Sequence, residues 1–270
     1  MITNTRFLRW IGMSVLVVLL LSGVVIGLCW PRVVSALPLR PQTQERTVTP
    51  TATGRHAPTT SGTPSPSAKA ATWTTLAHDT FHRADQRFWG KAADGQLWGA
   101  NANSVHVFSI TDNTGQVANG SGTYDALLGP MATNAEIVCS GMISRFDHTS
   151  FGAVLRWNDV ENWYKASLDG TYLILSKKVT GVSTRLAMSP FAASAGTSYT
   201  LRFRIEGTTL LAKAWPTGTP EPPAWLVMIH DTSLPSGFGG LRFMLKKSVT
   251  VNIGAFSETG THLNEGRGTS

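Results

Sequence analysis

The chain has 270 residues, of which 42% are hydrophobic and 14% charged, and its formal net charge is +7. The basic excess is concentrated in the first quarter, because residues 73–260 carry 15 basic and 14 acidic side chains. A nearly neutral domain lacks the basic surface that nucleic-acid binding requires, so we expect no nucleic-acid partner. The two cysteines, Cys29 and Cys139, cannot form a disulfide within residues 73–260, so the fold of this segment must depend on a hydrophobic core.

The first recognisable segment is an apolar run from Trp10 to Trp30 that contains no charged residue. A helix of about 20 apolar residues is long enough to cross the hydrocarbon core of a bilayer. Two arginines precede the run, and a tryptophan stands at each of its ends, as at membrane interfaces. The pattern predicts a cytoplasmic tail over residues 1–9 and a transmembrane signal-anchor over residues 10–30, with the rest of the chain outside the cytoplasm.

A cleaved secretory signal is the alternative interpretation of this run. The tripeptide Val34-Ser35-Ala36 has the small residues that a signal peptidase prefers, so cleavage would follow Ala36. The apolar run is longer than the usual signal core of about 7–15 residues, which favours the uncleaved anchor. The first interpretation places the protein on the cell membrane, and the second predicts a secreted protein.

Residues 31–72 form a segment dominated by Thr, Pro, Ser and Ala, including the run TPTATGRHAPTTSGTPSPSAKAAT. This composition has almost nothing to bury, so it predicts a disordered linker. In an extended form the linker could reach on the order of 100 Å from the bilayer. We also expect a flexible tail over residues 261–270.

The segment from residue 73 to residue 260 shows short runs in which apolar and polar residues alternate. The clearest run is Leu201-Arg202-Phe203-Arg204-Ile205-Glu206, which is apolar at odd positions and charged at even positions. Such alternation predicts a strand with one buried face and one solvated face. Because no helical pattern accompanies these runs, the sequence predicts an all-β domain, an antiparallel two-sheet sandwich or jelly roll.

Turn signals join several of these runs into hairpins. Asp169-Gly170 is a strong hairpin signal, and Gly207-Thr208 provides a second turn. The polar stretch Asn158–Asn162 is expected to be a hairpin loop. The predicted strand pairs are 151–157 with 163–168, 163–168 with 172–179, and 201–206 with 209–215.

The order of these motifs resembles laminin-G-like modules of the concanavalin A-like lectin/glucanase superfamily, which occur in bacterial surface and secreted proteins. The resemblance covers about residues 76–257 and depends on DTFHRAD, RWNDVENWYKASL and LRFRIEGTTLLAKAWPTGTPEPPAW. Its most specific part runs from Trp215 to Trp225, and we expect both tryptophans to fill the space between the sheets. The resemblance implies two antiparallel sheets, one of them concave, and frequent carbohydrate binding, but it does not by itself imply catalysis.

Enzymes of that superfamily carry a Glu-x-Asp-x-Glu strand, whose alternate residues share a face and hold two carboxylates for glycoside hydrolysis. The nearest match here has Asp159 and Glu161 but lacks the third acid. Since these residues fall in a predicted loop, we expect Asp159 and Asn162 to cap a turn, as an Asp-x-x-Asn does in related modules. The alternative is a glycoside hydrolase in which Asp159 and Glu161 are the acid and the nucleophile.

The resemblance also raises the question of calcium, because some related modules pair an acidic residue near the first strand with another near the last. Asp79 fits the first place, but Gly254 occupies the position where the second acid is expected. Calcium binding needs several oxygen ligands, including carboxylates. Asp79 is therefore a weak calcium candidate, and we expect no cofactor and no metal.

The predicted strand 163–168 provides the best candidate for a binding surface. Its alternation places Tyr164, Ala166 and Leu168 on one face and Trp163, Lys165 and Ser167 on the other. We expect the second face to be exposed to solvent. Sugar rings stack on exposed aromatic rings, and Asp, Asn, Arg and Lys bind their hydroxyl or acidic groups. The candidate ligand-binding residues are Trp163, Arg156, Lys165, Asp159 and Asn162.

We therefore expect a membrane-anchored, extracytoplasmic module that binds carbohydrate or cell-wall glycan, or mediates adhesion, without catalysis. A glycoside hydrolase is the first alternative, and a protein-binding scaffold or sensor domain is the second.

Overall fold

The computed structural model describes residues 72–262. The predicted cytoplasmic tail, the transmembrane segment and nearly all of the linker lie outside the described residues, as does most of the predicted tail. Within residues 72–262, no helix is long and apolar enough to cross a membrane.

The described chain folds into two antiparallel sheets that face each other, as the alternation of the sequence predicts. The nine-stranded sheet contains, in spatial order, β14 (Val227–His230), β13 (Thr209–Pro216), β12 (Ser198–Glu206), β7 (Ala132–Ile143), β16 (Val251–His262), β5 (Thr114–Val117), β4 (Phe108–Thr111) and β2 (Gln86–Arg87), with β1 (Thr74–Asp79) also paired to β16. The seven-stranded sheet contains β11 (Val182–Pro190), β10 (Tyr172–Val179), β9 (Asn162–Leu168), β8 (Ser150–Asp159), β15 (Phe238–Leu245), β6 (Gly122–Leu127) and β3 (Gly99–Ala100).

The core lies between the inner faces of the two sheets. The odd positions of β12, Leu201, Phe203 and Ile205, are fully buried there, which confirms the alternation predicted for this strand. One end of the core is an aromatic cluster whose rings pack edge to face, with centroid distances of 5.0 Å from Trp89 to Phe108 and 4.8 Å from Trp89 to Trp98. Edge-to-face packing adds about 1 kcal/mol per pair to the burial of these rings.

Two of the predicted turns differ little from the structure, and one differs in length. The β9–β10 and β12–β13 hairpins connect at Asp169-Gly170 and Gly207-Thr208, as predicted. The expected five-residue loop Asn158–Asn162 is shorter, because β8 continues to Asp159 and β9 begins at Asn162. A register shift between Leu155 and Asp159 absorbs the difference. The polar composition of this stretch predicted that the chain reverses direction between β8 and β9, but it did not predict the bulge that lengthens β8.

The prediction that Trp215 and Trp225 fill the space between the sheets is wrong. Along β13 the positions that belong to the core are Leu210, Ala212 and Ala214, so Trp215 alternates onto the opposite face. Trp225 is half-buried on that outer face, where its ring contacts the ammonium group of Lys213 at 4.7 Å. Burial of Trp215 therefore comes from outside the sandwich.

Candidate functional site

A groove opens on the outer face of the seven-stranded sheet. It consists of two adjoining cavities of about 490 and about 240 Å³. Both cavities are lined by Lys165, Ile174, Ser176 and Met244, so they form one continuous depression across β9, β10 and β15. Volumes of this order are typical of small-molecule sites.

The lining follows from strand alternation and register. On β9, Tyr164 faces the core and is fully buried, so Trp163 and Lys165 face the groove, as the sequence predicted. Lys165 pairs in register with Ser176 of β10, and Ser176 pairs with Arg185 of β11. Three strands thus present one row of groove-facing side chains.

Trp163 forms the floor of the groove and is not an open stacking platform. Only 5% of the residue is exposed, although the sequence suggested an exposed ring. The guanidinium carbon of Arg242 lies 4.8 Å from the Trp163 ring centroid, and Lys165 Nζ lies 5.8 Å from it. The indole Nε1 donates a hydrogen bond of 3.1 Å to the Val160 carbonyl. Two cations therefore cover the aromatic face that a sugar would otherwise reach.

Arg242 is held over this floor by an ion pair. Its Nη1 donates to both carboxylate oxygens of Asp125, at 2.7 and 2.6 Å. Asp125 is 4% exposed, and its backbone amide donates to the Asn101 side chain. Burial raises the pKa of the Asp125 carboxyl, while the positive charge of Arg242 opposes that rise. The pair fixes the position of the guanidinium and offsets much of its charge.

Lys165 is the cation in the middle of the groove. Within residues 72–262 its ammonium forms no ion pair, although Arg242 carries a like charge nearby. Burial, followed by the charge of Arg242, lowers the pKa of Lys165 to about 8, against the opposing effect of Asp125 and Asp169. The ammonium therefore lacks a counter-charge that would compensate for its desolvation.

Two further cations stand at the β10–β11 side of the groove. Lys178 Nζ lies 2.7 Å from a carboxylate oxygen of Glu161, so this charge is paired. Arg185 is exposed, and its Nη1 contacts the sulfur of Met188 at 3.6 Å. In the described part of the chain no carboxylate pairs with Arg185.

Three residues proposed from the sequence do not line the groove. Arg156 is buried, and its guanidinium donates to the carbonyl oxygens of Thr133, Gly207 and Leu234 at 2.6–3.0 Å. Asp159 accepts hydrogen bonds from the Glu161 amide and from the Asn162 side chain. The side-chain Oδ1 of Asn162 accepts from the Thr180 backbone amide. These contacts stabilise the β8–β9 turn and one end of the sandwich.

Asp79 does not fit a calcium site. Its two carboxylate oxygens accept from both Nη atoms of Arg83, from Trp98 Nε1 and from two backbone amides, at 2.7–3.2 Å. Burial works to raise the pKa of Asp79, but the hydrogen bonds from Arg83 and Trp98 outweigh it and hold the pKa below its usual range. The Arg83 charge and the five donors leave no lone pair for a cation. Residues 72–262 contain no cluster of three or more His, Cys, Asp or Glu that could hold a metal ion.

Sequence reasoning missed Arg242, Asp125 and Arg185. The alternation of Leu241, Arg242 and Phe243 indicates that Arg242 faces outward, and this signal was available. Its pairing with Asp125 joins residues 117 positions apart, and nothing local in the sequence indicates it.

No family model and no curated protein matches this sequence. Solved structures, in contrast, match the sandwich. A xylan β-1,4-xylosidase from Bacillus halodurans C-125 is 14% identical with a TM-score of 0.50, and the match covers 67% of this chain and 38% of that one. The GH43 BlXynB protein from Bacillus licheniformis is 13% identical with a TM-score of 0.50, over 67% of this chain and 38% of that one.

A third structure, the carbohydrate-binding module CBM66 from Bacillus subtilis, is 15% identical with a TM-score of 0.44, over 68% of this chain and 93% of that module. The chain spans only 38% of the length of the xylosidase and 38% of the length of the BlXynB protein. At these identities the likeness concerns the fold alone, an all-β antiparallel sandwich of two sheets, as the sequence predicted. The laminin-G-like family itself stays a resemblance.

Proposed function

We propose that residues 72–262 form a carbohydrate-binding module and that the ligand lies in the groove on the seven-stranded sheet. The observation that carries the proposal is the groove itself, a depression of about 490 Å³ with Trp163 as its floor and cations and hydroxyl groups along its walls.

The lining has the mixture of groups that a sugar needs. Ile174 and Met244 offer apolar surface for the C–H faces of a sugar ring, and Met244 is 45% exposed. Ser176, Ser183 and Thr184 offer hydroxyls that both donate and accept hydrogen bonds. Small polar groups on an apolar surface fix the orientation of a bound ligand.

The fold likeness supports carbohydrate as the ligand class. Two structures that match with a TM-score of 0.50 carry this sandwich within a larger protein, one named as a xylosidase and the other as a GH43 protein. A β-sandwich hosts many functions, so the likeness supports the proposal only together with the groove.

We propose further that the module has no catalytic activity. Retaining glycoside hydrolysis needs two carboxyl groups about 5–5.5 Å apart that flank the scissile bond. The carboxylates near the groove serve other contacts: Asp125 pairs with Arg242, Glu161 pairs with Lys178, and Asp169 accepts from two backbone amides of the β9–β10 turn. Turnover of a glycoside that Glu161→Gln abolishes would instead support the hydrolase alternative.

Affinity electrophoresis of the full chain tests the binding proposal. Gels containing soluble xylan, β-glucan or polygalacturonate should retard the wild-type protein in at least one case. Ser176→Trp, which fills the middle of the groove, should abolish the retardation. Ser109→Trp, a half-buried serine on β4 of the other sheet, is the matched control and should leave it unchanged. Retardation by none of these polysaccharides, or retardation that Ser176→Trp leaves intact, overturns the proposal.

The location of the module is a separate proposal, supported by the uncharged run 10–30. The chain is held in the cell membrane with the module outside the cytoplasm. Mass spectrometry of the protein from its native membrane should find a chain that retains residues 10–30. A mature chain that starts at Leu37 contradicts the anchor and supports secretion.

A further inference from the structure

The larger cavity of the groove is lined by charges of one sign. Four cations line it, and within residues 72–262 no Asp or Glu does. This concentration is local, since residues 73–260 as a whole are nearly neutral. The four cations are Lys165, Lys178, Arg185 and Arg242.

Two of the four cations already have a partner. Arg242 pairs with Asp125 and Lys178 with Glu161, so both charges are largely offset within the protein. Lys165 and Arg185 have no carboxylate partner in the described part of the chain. The positive potential of the groove is thus centred on these two side chains.

Lys165 and Arg185 flank one hydroxyl. Both are register partners of Ser176, one on each side of β10, so their Cα atoms are separated by two strand spacings, about 10 Å. The β10–β11 register shifts between Leu175 and Ser176, beside Arg185. A bulge re-aims the neighbouring side chain, and this one lies where Arg185 enters the groove. Two long cations at this separation can both reach one anionic group placed over the hydroxyl.

We propose that the groove selects an anionic sugar residue, whose charged group lies over Ser176 between Lys165 and Arg185. This inference rests on the proposed carbohydrate-binding function and names the class of sugar. A carboxylate or phosphate accepts from the Arg185 guanidinium, the Lys165 ammonium and the Ser176 hydroxyl at once. The same anion supplies the counter-charge that Lys165 lacks among the described residues.

The depressed basicity of Lys165 agrees with this assignment and adds a pH dependence. Burial and then Arg242 lower the pKa of the Lys165 ammonium to about 8, with Asp125 and Asp169 as the opposing charges. An anion that binds beside Lys165 favours the protonated form. Affinity for an anionic sugar should therefore be highest below pH 8 and fall as the pH rises to 9.5, where the free protein has lost that proton. Lys178 and Arg185 are the other cations that line this side of the groove.

Isothermal titration calorimetry of the full chain tests the inference with one polymer in two forms. Polygalacturonate is anionic, and its fully methyl-esterified form has the same backbone without the charge. A phosphomannan, whose mannose residues carry phosphate groups, provides a phosphate arm. Because the neutral form cannot make a charge-assisted pair, at least one anionic polymer should bind at least about 10-fold more tightly than the neutral form at pH 7. The better of the two anions identifies the source of the charge.

Charge-removing variants connect the preference to these residues. Arg185→Gln, at an exposed position that folding should tolerate, and Lys165→Gln should each weaken anion binding about five-fold or more and leave any binding of the neutral form within about two-fold. Lys247→Gln, an exposed lysine outside the groove, is the matched control and should change neither.

The outcomes separate the two proposals. If the neutral form binds as tightly as the anions and Ser176→Trp abolishes all binding, the preference for an anion is wrong and carbohydrate binding stands. If anion binding is insensitive to Arg185→Gln and Lys165→Gln, the inference is likewise wrong. If neither these polymers nor the neutral polysaccharides bind in the groove, the proposed function fails, and the inference fails with it.

Discussion

Arg156 and Lys165 show how far single residues could be assigned from the sequence. Both are cations on neighbouring strands, and the sequence analysis proposed both for one binding surface. Lys165 is where the pattern puts it, since β9 is regular. Arg156 has a φ of 50° and begins the register shift in β8, so its side chain runs among three carbonyl groups instead. A bulge is a long-range feature of strand pairing, and the local pattern does not reveal it.

Arg156→Lys should destabilise the sandwich. A lysine cannot reproduce the fork that donates four hydrogen bonds to three carbonyl oxygens, so buried acceptors lose their partners. We expect a loss of about 3 kcal/mol, or roughly 6–12 °C in Tm for a domain of this size. Thermal unfolding measures it, with Arg145→Lys in an exposed loop as the control. Glycan binding by the folded Arg156→Lys protein should be unchanged. A selective loss of binding would show that Arg156 contributes to the ligand site.

Glu258 of β16 is a second residue whose environment the sequence does not reveal. It is 0% exposed, and neither carboxylate oxygen has a hydrogen-bond partner within the described structure. Gly239 leaves room for it, since a Cβ there would lie 2.3 Å from either oxygen. Burial raises the pKa of Glu258 well above its usual range. Because the folded-state pKa exceeds the unfolded-state value, the protonated form is favoured by folding, and stability falls as the pH rises above about 4.3.

Glu258→Gln should therefore stabilise the protein at high pH. At pH 4 the two proteins should unfold at similar temperatures, because both side chains are then neutral. By pH 8 the variant should be more stable by about 1–3 kcal/mol, since it has no charge to bury. Calorimetric Tm values between pH 4 and pH 8 measure the difference. A variant that is less stable than the wild type at pH 8 would mean that the carboxylate has a favourable partner.

At the scale of elements, the ends of the strands that alternate cleanly could be predicted to within about three residues, and the order of the strands in the sheets could not. The β9–β10 and β12–β13 hairpins were found because their turns are local signals. In the nine-stranded sheet, however, β7 lies between β12 and β16, and in the other sheet β15 lies between β8 and β6. These neighbours are distant in sequence, and the groove depends on them because Arg242 comes from β15.

The segment 217–226 acts as a strap across the outer face of the nine-stranded sheet. It overlaps the stretch from Trp215 to Trp225, which is the part of the sequence most specific to the family resemblance. Glu221 pairs with Arg202 of β12 at 2.9 Å and with Lys213 of β13 at 2.6 Å. The Pro222 carbonyl accepts from Lys213 at 2.8 Å, and the Trp225 ring lies beside Lys213 and Arg204. The buried Trp215 lies on the same outer face of β13 as Lys213, the residue that the strap contacts.

Removal of Glu221 should loosen the strap. The Lys213 side chain is only 6% exposed, so Glu221→Ala leaves a buried ammonium without its carboxylate. Glu221 itself is one-third exposed, which limits the loss to about 1 kcal/mol, or roughly 2–4 °C in Tm. Limited proteolysis should also cleave within 217–226 sooner. Glu206→Ala, an exposed acid at the end of β12, is the control; equal effects of the two changes would show that the strap adds nothing.

At the scale of the whole molecule, the core is complete within the described residues. Both sheets contribute to one hydrophobic cluster, so residues 72–262 should unfold in a single cooperative transition. A chain that starts at Thr72 should have the same Tm as the full chain in detergent, measured by calorimetry. A chain that starts at Thr80 lacks β1, and with it the buried Leu76, Ala77 and Asp79, so its Tm should be much lower. Failure of the first chain to fold would show that earlier residues complete the core.

The pairing of β1 with β16 has a practical consequence. Thr74 is the register partner of Gly260, so the two ends of the described chain meet about 5 Å apart on the nine-stranded sheet. The groove opens on the opposite sheet. A domain with adjacent ends can be inserted as a cassette into an exposed loop of another protein, and this one would be joined through the side that its ligand does not use. The same geometry suits a biosensor in which the module is inserted into an exposed loop of a reporter protein. The groove would then stay accessible to a ligand in the sample.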